Sequence, residues 1–135
     1  MKTAIISIMI LLPTLALAAH SHKEREYQQA WCENVKGTTE YRLDDGTRVD
    51  CITEQYAVEF DFAPKWAESV GQALYYAEMT GRKPGVVLIL EKATDTRYVD
   101  RLKKIADRYG IMQWIMTLDD IDKLATGGLK QASRI

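Results

Sequence analysis

From Arg48 to Phe62 apolar and polar side chains alternate with a period of two, the signature of strands. Successive strand side chains point to opposite faces. Tyr56, Val58, Phe60 and Phe62 therefore share one face, and Ala57, Glu59 and Asp61 the other. A turn at Glu54–Gln55 joins this strand to the preceding one, where Asp50 falls with Arg48 and Ile52, opposite Val49 and Cys51. Such a hairpin gathers Asp50, Glu59 and Asp61 on one face.

The surrounding periodicities predict the other elements. Glu24 to Val35 reads as a helix with Tyr27, Ala30 and Trp31 as its apolar patch, ending before Gly37. Thr39 to Leu43 alternates, and Asp44–Asp45–Gly46–Thr47 supplies turn chemistry, so three strands form a meander. Pro64 and Gly81 bracket a second helix. Its predicted buried stripe is Trp66, Val70, Ala73 and Ala77, and Lys65, Ser69, Gln72 and Tyr76 form a separate polar stripe starting just beyond Asp61. Gly85 to Leu90 is continuously apolar, as in a strand covered on both faces. Arg97 to Arg108 is an amphipathic helix with Tyr98, Leu102, Ile105 and Tyr109 towards the core. Arg97, Arg101, Lys104 and Arg108 line another side, interleaved with Asp100 and Asp107. That stripe suits a phosphate backbone or a solvated face. Met112 to Met116 is a further strand, and strand–helix–strand at this spacing implies a parallel crossover. A short capped helix over Thr117 to Leu124 and a loose tail from Ala125 to Ile135 complete an α/β domain with a mixed central sheet flanked by helices.

Composition adds little to that picture: 135 residues, 47% apolar and 27% charged, suit one globular domain without repeats or linkers. The start adds more. Met1–Lys2 is a basic n-region, Thr3 to Leu17 is almost wholly apolar, and Ala18 and Ala19 offer a cleavage point before the polar His20–Ser21–His22. Residues 1–19 thus read as a secretory signal peptide, and 20–135 as a periplasmic or secreted domain with no membrane span after cleavage. The apolar segment is short for a spanning helix. Two cysteines, Cys32 and Cys51, in an oxidising compartment predict a disulfide. A net charge of −1 excludes a general polyanion-coating protein, so any nucleic-acid contact must be local. His20 and His22 are a weak copper or nickel chelate or, more simply, a solvated terminus.

Carboxylates held side by side raise one another's pKa unless a cation or proton lies between them. Oxygen-rich clusters suit magnesium or manganese. The same acids also fit a solvated outer sheet face.

The element order over about residues 24–116 resembles the αβββαβ core of the PD-(D/E)XK, or restriction-endonuclease-like, nucleases with one further αβ step. Asp50, then Glu59–Phe60–Asp61, then the helix carrying Gly71–Gln72 and Tyr76 carry the likeness. The resemblance implies an exported nuclease cutting DNA or RNA with Mg or Mn held by Asp50, Glu59, Asp61 and the Phe60 carbonyl. Lys65 and Gln72 would join those acids as catalytic residues, and Tyr76 would touch substrate. A first-helix acid, Glu26 or Glu33, is a further candidate. The family lysine is replaced by Asp61, which cannot donate to a phosphate. Either Asp61 is an added ligand with Lys65 reaching the same space, or the chain is a catalytically inactive, nuclease-derived binding module.

Overall fold

The computed structural model describes residues 20–127; the predicted signal segment and the last eight positions of the predicted tail lie outside them. The order is α1 (Glu24–Asn34), β1 (Thr38–Arg42), β2 (Arg48–Ile52), β3 (Tyr56–Phe62), α2 (Trp66–Thr80), β4 (Lys83–Leu90), α3 (Thr96–Tyr109), β5 (Met112–Thr117) and α4 (Leu118–Ala125). Short 3-10 turns at Ala63–Lys65 and Ala93–Asp95 lead into α2 and α3. The strands form one mixed five-stranded sheet in the order β1-β2-β3-β4-β5. The first three strands are antiparallel neighbours, and β3, β4 and β5 run parallel. Among the described residues, no helix is long and apolar enough to cross a membrane.

Helices cover both faces. On one, α1 and α4 bury Tyr27, Trp31 and Ile121 against Val58, Phe60, Val87 and Ile89. On the other, α2 and α3 pack Ala73, Leu102 and Ala106 against Val86 and Leu88. The apolar run of β4 is buried on both sides because alternate residues serve alternate cores. Gly85 is required there, since a Cβ would lie 2.8 Å from the Trp114 ring.

Three expected faces change. In α2 the buried residues are Ser69, Ala73 and Tyr76, while Trp66, Val70 and Ala77 are only half-buried. Ser69 and Tyr76 of the nominally polar stripe therefore face the sheet, where Tyr76 closes a small core with Val49 and Ala57, while Lys65 and Gln72 stay exposed. In α3, Ala106 takes the core position and Tyr109 at the last turn is exposed. In β2, alternation puts Val49 and Cys51 on the same face, yet Val49 packs in the Tyr76 cluster and Cys51 in the α1 core. The break falls at Asp50, and Glu40, the residue in β1 between the pairs Thr39–Cys51 and Tyr41–Val49, has a left-handed φ of 53°.

The predicted Cys32–Cys51 disulfide is present and ties α1 to β2 across 19 residues. A Cβ on Gly37 would lie 2.6 Å from the Cys51 sulfur and 2.8 Å from that of Cys32, so the turn after α1 must be glycine. Closing a loop of this length is worth about 3 kcal/mol through the unfolded state. We expect reduction to lower unfolding stability in urea by about that amount, and Gly37→Ala to destabilise the oxidised protein by about 1–3 kcal/mol through overpacking. A melting curve indifferent to both would contradict this role for the clamp.

Candidate functional site

The site lies where β2 parts from β3. Their ladder holds only at Cys51–Val58 and Ile52–Ala57. At the next pair, Asp50 and Glu59, side chains replace the backbone partners. The Phe60 amide donates to Asp50 Oδ2 at 2.9 Å, and the Asp50 amide donates to Glu59 Oε1 at 3.2 Å. Each carboxyl is thus wedged into the opening it satisfies. Asp61 follows two residues later on the face of Glu59, with 5% of its surface exposed, and its Oδ1 has no hydrogen-bond partner.

Other elements deliver further acids. Glu24, in the first turn of α1, brings its carboxyl within hydrogen-bonding reach of Asp61. Gln28, one turn later and buried, donates to Asp50. Glu40 acts on Asp50 through space while pairing with Arg48 at 2.6 Å. Glu68 of α2 also bears on Asp61, and Lys65 at the start of that helix opposes Glu24 and Asp61 with the positive charge they lack. Against Glu24, Glu40, Asp50, Glu59, Asp61 and Glu68 stand chiefly Lys65, which acts on Glu24 and Asp61, and Arg48, which is paired with Glu40.

Burial dominates the resulting titration. It pushes Asp61 up to about 7, with Glu24 adding to the rise and Lys65 opposing it. Asp50 and Glu59 titrate as a pair, both raised, first by loss of water and then by neighbouring carboxylates. Glu24 is raised for the same leading reason.

The predicted residues divide. Asp50, Glu59, Asp61 and the Phe60 backbone converge, and Lys65 stands beside them. Gln72 is exposed midway along α2 and hydrogen-bonds none of the carboxyls. Tyr76 is buried; its hydroxyl engages Thr47 and the Arg48 backbone, so it braces the start of β2 from α2. Neither first-helix candidate joins the acids: Glu26 accepts from the Lys23 amide at 2.6 Å and Glu33 from Gln29 at 2.9 Å. Both line a groove of about 600 Å³ between α1 and α4. Glu24 and Gln28 were the residues to find. The available signal was Gln28, a polar residue inside the apolar arc of Tyr27 and Trp31, with Glu24 one turn before it.

No family model, curated protein or solved structure matches this chain. The likeness to the PD-(D/E)XK nucleases therefore rests on element order and motif register. An all-oxygen donor set suits a hard divalent cation. Asp61 Oδ1 is an uncommitted oxygen, and Glu59 spends only one of its two on a backbone amide. Among the described residues, however, no group of three or more His, Cys, Asp or Glu is already drawn together as a metal site.

These shifts bear on stability. Each raised carboxyl binds its proton more tightly folded than unfolded, where it titrates near 4. Its stabilisation is complete at acid pH and is lost as pH rises through about 7 for Asp61 and above its ordinary range for the Asp50–Glu59 pair. We expect the metal-free protein to melt higher at pH 5 than at pH 8. Glu59→Gln, which keeps the amide acceptor and removes the buried charge, should gain about 1–2 kcal/mol at pH 8 and nothing at pH 4. Stability rising with pH over this window would contradict the charge crowding.

Proposed function

We propose that this domain is a divalent-cation-dependent phosphodiesterase of the restriction-endonuclease-like type, acting on DNA or RNA outside the cytoplasm. The observation carrying the proposal is the buried, mutually repelling acid cluster at the β2–β3 parting, with an orphaned Asp61 oxygen inside it. A buried polar oxygen without a partner is costly, and a cation is what such a cluster lacks.

Asp50, Glu59, Asp61 and the Phe60 carbonyl hold the ion in this reading, with Glu24 as a further acid from α1. Mg or Mn held by these residues would supply charge neutralisation at the phosphate and a more acidic water. Lys65 supplies the ammonium that the family motif places at the position of Asp61. It reaches the same acids from the start of α2 and faces the developing phosphate charge. Its long stem and point charge permit that relocation. Gln72, exposed beside this helix face, is available to a backbone phosphate. Tyr76, buried from α2, steadies the start of β2 in this reading.

A second reading has its own observation. The motif lysine is an acid here, and Asp50 and Glu59 are tied to backbone amides. Those features suit a nuclease-derived binding module that no longer cuts.

The test is digestion of plasmid and single-stranded substrates in Mg or Mn. We expect cutting that EDTA abolishes, that Asp50→Asn and Glu59→Gln remove, and that Lys65→Ala lowers by about 10²–10³. Wild-type melting behaviour of Lys65→Ala would show that the loss is chemical. Cutting that survives both carboxyl substitutions would overturn the mechanism, and tight cation binding without digestion would favour the binding module.

A further inference from the structure

We propose that the outer face of α3 binds a nucleic-acid phosphate backbone through Arg97, Arg101, Lys104 and Arg108. This rests on the nucleic-acid reading above and extends it from the acids to the surface that holds the polymer. A site rich in carboxylates repels a polyanion, so binding energy has to come from elsewhere on the molecule.

Spacings of four, three and four residues put these side chains on one stripe of α3. All four are exposed, and none has a carboxylate within ion-pair distance among the described residues. The contrast lies in the same helix, where Lys103 is paired with Asp107 at 3.2 Å. Arg97 and Arg101 are moreover gathered on one ring. Their guanidinium carbons lie 4.7 Å and 5.4 Å from the centre of Tyr98, and Arg97 donates to the Tyr98 hydroxyl at 2.9 Å. The ring favours each cation modestly. Two like charges held near one ring nevertheless repel, and a bound anion offsets that repulsion. A phosphate matches the forked donors of both.

Position supports the same occupant. α3 begins beyond the C-terminal end of β4 and packs against the turn that carries Lys65. Its Arg97 end therefore lies at the end of the sheet where Asp61 and Lys65 meet. From Arg97 to Arg108 the stripe runs about 16 Å, at 1.5 Å per residue. That covers about five base-pair steps of duplex. In a chain of net charge −1 this is a local cationic track.

The experiment is anisotropy of a short labelled DNA duplex in EDTA across a salt series, so that nothing depends on hydrolysis. The wild type should bind with salt-dependent affinity. The double change Arg97→Ala and Arg101→Ala should weaken binding about tenfold or more and reduce the log–log salt slope by about 2. Lys103→Ala should change neither. Absence of salt-dependent binding, equal loss in the Lys103 control, or binding to phosphatidylserine vesicles but not duplex would each overturn the proposal. Retained binding without metal-dependent digestion would remove the hydrolytic reading alone. Digestion with duplex binding unaltered by the double change would remove this one alone.

Discussion

The structure depends on two amide hydrogens that point into a gap. Phe60 N–H meets Asp50, and Asp50 N–H meets Glu59, where a regular hairpin would join main chain to main chain. Bonds of this kind to an ionised carboxylate are strong. They require the charge to be buried, and burial opposes the charge. The site thus holds two opposed demands: the backbone favours ionised carboxylates, and the dry surroundings favour protonated ones. The divalent ion of the proposed function would satisfy both.

Much of the surrounding architecture holds that gap in shape. Cys51, next to Asp50, is bound to α1 by a disulfide, so β2 cannot move away from the helix bearing Glu24 and Gln28. Glu40 bends β1 opposite Asp50 through a left-handed backbone, a conformation costing a non-glycine residue about 1 kcal/mol or more. Tyr76 grips the start of β2 from α2, whose first residues follow the Lys65 turn. Helix, strand and hairpin each carry one part of the acid cluster. Holding such parts on regular elements is what positions a reactive group to within a fraction of an ångström.

The sheet, its helices and the disulfide were legible in the sequence because each leaves a strong local trace. Period two marked β3, an unbroken apolar run marked β4, and two cysteines left one intramolecular pairing. The hairpin acids were legible for the same reason. What escaped was set by tertiary context. Ser69 and Tyr76 look polar in isolation but face the sheet, since a phenol buries its ring while its hydroxyl finds partners. Glu24 lies far from Glu59 in the chain, and Glu26 and Glu33 offered a tidier stripe that capping and helix-surface bonds absorb instead. The inversion at Asp50 was invisible because alternation assumes an unbroken strand.

The most direct measurement is a carboxyl-detected NMR titration of Asp50, Glu59 and Asp61, with and without magnesium. Without the ion, all three should titrate above the ordinary carboxylate range, with Asp61 near 7. With it, all three should fall to or below that range together, since an adjacent cation favours the ionised forms. Titration near 4 in both conditions, or an unchanged elevation under saturating magnesium, would contradict the claim that these acids are crowded in order to share a cation.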